Sequence, residues 1–263
     1  GYAYSILGRP AEASDNIQKA IQAASDVPFY RYWAKILLAM SYALGGQMEI
    51  AGGLMAEVME FTTAGGGKTL GDYTLPHYGM ALFAQGRMNE GLTLLKEAAE
   101  IGIRGQRKRL LVVVEFYLGN IFSQLAAPTQ SVGFSTLMKN LGFLIKNLPG
   151  ASKKAERHFH KAMKLAEETK SYLYAGQSWL ELGRMFKAKK KGDKAGDCLE
   201  EAIKVFKMLE NEFYLTQAKE VLASLKYPYE GRSEPISCGC NFTFKSFYYA
   251  IILEFRDFEG FRL

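Results

Sequence analysis

The chain has 263 residues, of which 48% are hydrophobic and 23% charged, and its formal net charge is +6. This composition is typical of a folded protein with a buried core, either one elongated domain or two globular ones. Three cysteines are too few for a disulfide framework, and no apolar run approaches the roughly 20 residues needed to cross a bilayer. We therefore expect a cytoplasmic protein with no membrane partner.

The positive charge is unevenly distributed along the chain. Residues 1–138 carry 11 basic and 11 acidic side chains, residues 139–226 carry 18 and 11, and residues 227–263 carry 4 and 5. The sequence begins without Met and without a basic region that precedes an apolar one. We expect it to begin inside a longer protein.

A repeated unit runs along most of the chain. Each copy has a large residue, a small residue, an aromatic or Leu, a Gly-marked turn, and then Ala, apolar and Ala, as at 78–98 and 182–202. The equivalent small residues Ala39, Gly79 and Gly119 are each 40 residues apart. This period predicts an all-α array of about five helix-turn-helix hairpins over 1–226, with helices or loops longer than in a minimal hairpin.

The fourth unit is interrupted. Its first helix ends with "YLGNIF" at 117–122, but the matching face of its second helix arrives only at 155–162. The spacing predicts an inserted segment near 126–150, whose "FSTLMKNLGFLIKNLP" is apolar at helical intervals. We expect an extra helix there that packs on the array and ends at Pro149-Gly150.

The end of the repeats is marked by a change in composition. Residues 212–225 predict a single helix that caps the array, and residues 227–263 then hold ten Phe and Tyr in short alternating runs. This tail has three interpretations: a β-hairpin, a disordered tail, or a non-native extension through an altered reading frame.

The units resemble tetratricopeptide repeats, and this resemblance implies a superhelical array that holds another protein. The positions that fit the pattern best are Trp179, Leu182, Gly183, Phe186, Ala195, Leu199 and Ala202. The sequence departs from the pattern at Lys35 and Glu115, where a large apolar residue is usual, and at Gly91, where Ala is usual.

A closer resemblance covers roughly 105–226 and rests on "KNLGFLIKNLPG", "KKAER" and "YLTQAKEVLASL". These segments are similar to the C-terminal repeat region of bacterial proteins that join a class III adenylate/guanylate cyclase domain to a signal-transduction ATPase domain. The resemblance implies a multidomain signalling enzyme whose catalytic carboxylates and phosphate-binding loop would precede residue 1.

Repeats of this family line a concave groove with residues of their first helices. The aromatic and Met residues at such positions are Trp33, Met40, Tyr73, Met80, Phe83 and Phe116. As a set they are our candidate binding surface, because such side chains offer large, adaptable contact area, although each could instead pack between helices. The expected function is non-catalytic: binding of a protein, a peptide or a neighbouring domain of the same chain.

The segment "GGGKT" at 65–69 offers an enzyme alternative, in which Lys68 and Thr69 contact a nucleotide phosphate. The spacing fails, because Thr62 stands where a phosphate-binding loop has its first Gly, and no strand is predicted before it. We expect a flexible loop between hairpins.

Histidines and cysteines do not form a metal-binding pattern. His158 and His160 are two residues apart on a predicted helix and point to different faces, and His77 is isolated. Cys198 stands alone, and Cys238 and Cys240 lie in the tail. We expect no metal and no cofactor.

Two basic runs, 152–164 and 184–194, could contact phosphates. Their candidate residues are Lys153, Lys154, Lys189, Lys190 and Lys191. Both runs carry interspersed acids and lack a base-reading motif, so solvated helix surfaces are favoured over a nucleic-acid site.

Overall fold

A computed structural model describes residues 10–24, 26–44, 46–127 and 134–226. Within these ranges every regular element is helical and no strand occurs, so the predicted all-α class is confirmed. The tail 227–263, with Cys238 and Cys240, lies outside the described residues, and its three interpretations stay predictions.

The described chain divides into two compact units at Leu110 and Leu111. The first unit contains five helices: α1 (Pro10–Ala23), α2 (Pro28–Leu44), α3 (Met48–Phe61), α4 (Lys68–Ala84) and α5 (Met88–Arg104). A π-helical turn, Thr62–Gly66, connects α3 to α4.

The second unit contains most of α6 and all of the helices that follow it. They are α6 (Lys108–Ala126), α7 (Phe134–Lys139), α8 (Leu141–Asn147), α9 (Ala151–Thr169), α10 (Tyr172–Ala188), α11 (Gly192–Met208) and α12 (Glu212–Lys226). The predicted insertion therefore holds two short helices, α7 and α8, rather than one, because the backbone departs from helical geometry at Asn140 (φ −109°, ψ 15°). Gly150 follows them in the left-handed region at φ 70°.

The same turn recurs between successive helices. In each case a residue adopts positive φ, and the next residue donates its N–H to the carbonyl five residues back, the closure of a Schellman motif. The positive-φ residues are Gly46, Gly86, Gln106, Lys170, Lys190 and Glu210. Gly86 and Gln106 are 20 residues apart, and the same interval separates Lys170 from Lys190 and Lys190 from Glu210.

Helix length accounts for the 40-residue period. Helices α4, α5, α10 and α11 each have 17 residues, and three residues separate α4 from α5 and α10 from α11. Each of these two hairpins with its two connections thus spans 40 residues, and its extra length lies in the helices. In the hairpin of α2 and α3, α3 has only 14 residues, and the longer connection 62–67 completes the same period.

Small residues let paired helices approach closely. A Cβ atom added to Gly91 of α5 would lie 2.3 Å from the carbonyl oxygen of Gly79 on α4. Between α10, α11 and α12 the contact is made by side chains instead, in a cluster that includes Leu180, Leu199 and Tyr214. The final helix α12 therefore packs on the last hairpin through a shared apolar core.

Candidate functional site

Four of the six residues expected to line a groove are buried. Their exposed fractions are 1% for Met40, 1% for Met80, 5% for Phe83 and 0% for Phe116. Side chains this deeply buried pack within the helical array, in agreement with the alternative that these residues lie between helices. Their role in lining a groove stays a prediction.

Trp33 on α2 and Tyr73 on α4 are partly exposed, and both belong to the first unit. They keep the amphipathic character that suits an aromatic binding residue. Their role in binding stays a prediction.

Contacts between α6 and α9 in the second unit fix the relative direction of these helices. His158 Nδ1 lies 2.6 Å from Glu115 Oε2, and Lys161 Nζ lies 3.3 Å from Glu115 Oε1. Further along α6, the Phe122 ring has Lys154 Nζ 5.2 Å from its centroid. The contacts move back along α9 as they advance along α6, so the two helices are antiparallel.

Helices α9 and α10 are also antiparallel. The Ser152 hydroxyl lies 3.9 Å from the sulfur of Met185, and the rings of His160 and Trp179 are 6.0 Å apart in an edge-on arrangement. Since α6 and α10 are both antiparallel to α9, they run parallel to each other.

Helix α12 runs in the same direction as α10. Arg184 Nη2 donates to Gln217 Oε1 at 2.9 Å, and further along both helices Lys187 donates to the hydroxyl of Ser224. Three helices of the second unit, α6, α10 and α12, are thus parallel.

Polar side chains follow an aromatic contact between α6 and α10. The rings of Phe116 and Tyr174 are 5.4 Å apart between centroids. Asn120 lies one turn beyond Phe116, and Gln177 lies one turn beyond Tyr174, so parallel helices place them at a similar level. We call the polar side chains that continue from this contact along α6, α10 and α12 the polar face: Asn120, Gln124, Gln177, Glu181, Arg184 and Gln217.

Part of the polar face has no hydrogen-bond partner among the described residues. Gln177 is 0% exposed, and neither its Oε1 nor its Nε2 atom has a partner within that part of the chain. Asn120 is also 0% exposed; its Nδ2 donates to the carbonyl of Phe116 at 3.2 Å, while its Oδ1 has no partner in the described ranges. The Nε2 atom of Gln124 is buried and likewise has no partner among the residues that the structure describes.

The rest of the polar face is paired. Arg184 bridges Glu181 Oε1 at 2.5 Å and Gln217 Oε1 at 2.9 Å. An unpartnered buried amide costs about 1–3 kcal/mol, so the difference between Gln177 and Gln217 matters for stability. The amides of Gln177, Asn120 and Gln124 together offer hydrogen-bond donors and acceptors. These could pair with the C=O and N–H groups of a peptide main chain.

Sequence reasoning missed the polar face. Gln177 and Glu181 stand in "LYAGQSWLELGRMF", where most neighbours are apolar, and they follow Tyr174 at positions i+3 and i+7. If the helical period had been searched for polar as well as apolar residues, it would have placed Gln177 and Glu181 together on one side of the helix, among buried neighbours.

Glu115 stands where the repeat pattern usually has a large apolar residue, and basic side chains of α9 pair with it. Burial acts to raise the pKa of Glu115, but the hydrogen bond and charge of His158, together with Lys161, outweigh it and hold that pKa below its ordinary value of 4.5. The stacked ring of Phe122, 5.4 Å from His158, shields the pair from one side. Glu115 therefore links α6 to α9 where an apolar contact was expected.

Lys68 and Thr69 lie in the first turn of α4 and are exposed. The preceding Gly65 and Gly67 have φ of 97° and 120°, and a helix rather than a strand stands before them. The segment connects two hairpins, but it is not the loop that we expected, because Thr62–Gly66 form a π-helical turn and Lys68 and Thr69 begin α4. It lacks the strand that normally leads into a phosphate-binding loop.

His77 and Cys198 are both buried, and burial disfavours the charged form of each side chain. Burial lowers the pKa of His77 to about 3 and raises the pKa of the Cys198 thiol to about 11, so both are neutral at pH 7. The described residues contain no group of three or more His, Cys, Asp and Glu that could hold a metal.

The basic residues of the two runs have different surroundings. Lys154 lies over the Phe122 ring and donates to the carbonyl of Asn147 at 3.4 Å, whereas Lys153 is exposed. Residues 189–191 are exposed in the turn between α10 and α11. Lys153 and residues 189–191 thus lie at the solvated surface that the sequence predicts, whereas Lys154 packs on an aromatic ring. The alternative of nucleic-acid binding stays a prediction.

Among the described residues, α6 is long and apolar enough to cross a membrane by length and composition. However, 72% of its most apolar stretch is buried within the protein. A core helix passes the same test, so α6 gives no argument for a membrane span.

No family model and no curated protein matches the chain. Among solved structures, it is similar to the crystal structure of BtubC (BKLC) from P. vanneervenii, with 15% sequence identity and a TM-score of 0.47. The alignment covers 88% of this chain and 97% of that chain. At this identity and TM-score, the likeness carries no argument about family or function.

Proposed function

We propose that the chain is a non-catalytic protein-binding module and that the polar face of its second unit holds the main chain of a partner segment. The observation that carries this proposal is Gln177, whose amide is buried and whose two polar atoms have no partner among the described residues. A buried amide is normally hydrogen-bonded, and an unpaired one invites a functional explanation.

The chemistry of the face suits an extended peptide. Gln177 and Gln124 offer N–H donors, and Gln177 and Asn120 offer carbonyl acceptors. A peptide in an extended conformation presents main-chain N–H and C=O groups that could pair with both kinds. Because Gln177 is buried, a partner reaches it only when the side chains that shield it move, so binding is coupled to local opening.

The wider context is a second part of the proposal. We propose that the hairpins are tetratricopeptide-like repeats in the C-terminal part of a cytoplasmic cyclase–ATPase signalling protein, where a neighbouring domain could be the partner. The support is the sequence of α8 with its flanks, "KNLGFLIKNLPG", and of α12, "YLTQAKEVLASL". The coding sequence upstream of Gly1 tests it: cyclase carboxylates and a phosphate-binding loop are expected there, and another domain type would contradict it.

The experiment on the polar face is a selection of unstructured peptides from a display library against the full chain. Selected peptides are then titrated into the wild type and into Gln177→Met, which keeps the side-chain volume and removes the amide. We expect weaker peptide binding by about tenfold, together with a gain of about 1–2 kcal/mol in the free energy of unfolding, because an unpaired buried amide is lost.

Gln217→Met is the matched control. Its amide oxygen accepts from Arg184, so the same change removes a satisfied hydrogen bond and should lower stability by about 1 kcal/mol. If the library yields no peptide, or if Gln177→Met binds selected peptides as tightly as the wild type does, the proposal is wrong.

A further inference from the structure

The inserted helices α7 and α8 carry a row of exposed apolar side chains. The exposed fractions are 53% for Met138, 48% for Leu141, 67% for Ile145 and 49% for Leu148. The spacings of four and three residues place Leu141, Ile145 and Leu148 on one side of α8, and Met138 precedes Leu141 by three residues on α7. We call these four residues the insertion stripe.

Helix-type hydrogen bonds span the junction of α7 and α8 even though Asn140 departs from helical dihedral angles. The N–H of Asn140 donates to the carbonyl of Thr136, and that of Leu144 donates to the carbonyl of Asn140, at 3.2 and 2.9 Å. On another side of α8, Phe143 is 2% and Asn147 is 8% exposed. The insertion is therefore held to the unit by one side while the stripe remains in solvent.

Positive charge lies along one flank of the stripe. No Asp or Glu lies between Glu115 and Glu156, a stretch that holds four lysines. Lys139 and Lys146 are exposed and seven residues apart, which places them on one side of the helices, and Lys153 is exposed at the start of α9. None of these three lysines forms a salt bridge within the described residues.

The charge and composition of the insertion stripe and its neighbours indicate what kind of partner covers it. A second copy would bring these lysines near their equivalents, and the like charges would repel. The central residues of protein interfaces are rich in aromatic residues, Met and Arg and poor in Lys, whereas three of the four stripe residues are Leu or Ile and lysines lie beside them. Aliphatic residues flanked by lysines suit an interface of acyl chains and anionic headgroups.

We propose that the insertion stripe docks on an anionic lipid bilayer, with its apolar side chains in the outer acyl region and Lys139 and Lys146 at the headgroups. The docking is peripheral, so it needs no spanning segment and revises only our expectation that the protein has no membrane partner. It is independent of the polar face and of any peptide that binds there.

The test is sedimentation of the full chain with vesicles of phosphatidylcholine that contain about 30% phosphatidylserine, compared with phosphatidylcholine alone. We expect binding to the anionic vesicles that weakens as salt is raised. Combined Leu141→Gln and Ile145→Gln changes should reduce the partition coefficient at least about tenfold, because the apolar side chains no longer enter the bilayer. Lys139→Gln and Lys146→Gln should each reduce it about fivefold.

Two matched controls lie on α5 of the first unit. Ile103→Gln alters an aliphatic side chain that is 65% exposed, and Lys96→Gln alters an exposed lysine, so both should leave the partition coefficient unchanged. Circular dichroism should give the same helix content for all variants. The proposal is overturned if anionic vesicles do not bind the wild type or bind the stripe variant equally well. A concentration-dependent dimer that the stripe variant abolishes would also overturn it, in favour of self-association.

Discussion

The last complete hairpin of the first unit and that of the second use the same small-residue positions in different ways. In α4 and α5, a Cβ atom at Gly91 would lie 2.3 Å from the backbone oxygen of Gly79. In α10 and α11, a Cβ atom at Gly183 would meet the side chain of Leu199 at 2.7 Å. Backbone cannot move without shifting a helix, whereas a leucine can rotate, so the first hairpin should tolerate added volume less well.

The two units also differ in how they accommodate a charged residue at an apolar position. In the first unit Lys35 pairs with Glu57, whose side chain is 53% exposed, and lies 5.0 Å from the centroid of the Tyr32 ring. In the second, the side chains of Glu115 and His158 are only 14% and 13% exposed. Water screens the first pair more, so the second should contribute more to stability and respond more to pH.

The largest expected effect comes from Gly91→Ala. The added methyl group collides with backbone, so we expect a loss of about 3 kcal/mol in the free energy of unfolding, more than the helix propensity gained. Urea denaturation measures it. A loss below that of Gly183→Ala would break the comparison between the two hairpins.

The next effect comes from Glu115→Gln in the second unit. The change removes a charge-assisted hydrogen bond to His158 and the contact with Lys161, and we expect a loss of about 2 kcal/mol at pH 7. Denaturation of wild type and variant across pH 3–7 checks both the size and the pH dependence.

The sign of the pH dependence follows from the lowered pKa of Glu115. Because its pKa in the folded state lies below the ordinary value of 4.5, the contribution is complete above that value and is lost as pH falls through the folded-state pKa. The stability difference between wild type and Glu115→Gln should therefore shrink in acid. A difference that stays constant down to pH 3 would show that Glu115 acts only through packing.

A smaller effect is expected from Gly183→Ala, at about 1 kcal/mol of lost stability, because Leu199 can rotate and the helix gains propensity. Gly196→Ala on α11 is the matched control, since an added Cβ atom there meets nothing within 4 Å. It should stabilise the protein by up to about 1 kcal/mol. Equal losses for both variants would mean that the tight contact at Gly183 has no energetic weight.

The smallest effect is expected from Lys35→Gln, which removes the more exposed ion pair with Glu57. We expect a loss of about 0.5 kcal/mol that diminishes as salt is added. Thermal denaturation at low and high salt measures it. A loss as large as that of Glu115→Gln would contradict the difference in solvent screening.

The hairpins were predictable because their turns and their small residues leave local signals. Gly86 marks a left-handed turn, and the spacing from Gly79 to Gly91 marks the two residues that meet across it. The four turns at Gln106, Lys170, Lys190 and Glu210 adopt the same geometry without Gly, so a search for glycine alone misses them.

The candidate site was less predictable than the hairpins, for a physical reason. A helical period identifies which residues share a side but not whether that side faces a partner or the next helix. Met80 and Phe116 therefore suited a groove in sequence and are buried in the fold. Gln177 was missed because an amide is assumed to face water, and only packing reveals that this one does not.

The central claim is that the polar face pairs with a partner's main chain, and main-chain methylation tests it most directly. A peptide selected on the wild type is titrated calorimetrically beside versions in which single main-chain N–H groups are methylated, against wild type and Gln177→Met. The account predicts that one methylation weakens wild-type binding about tenfold, as expected for a lost hydrogen bond, and has little further effect on Gln177→Met. Equal losses for both proteins at every methylated position would contradict it.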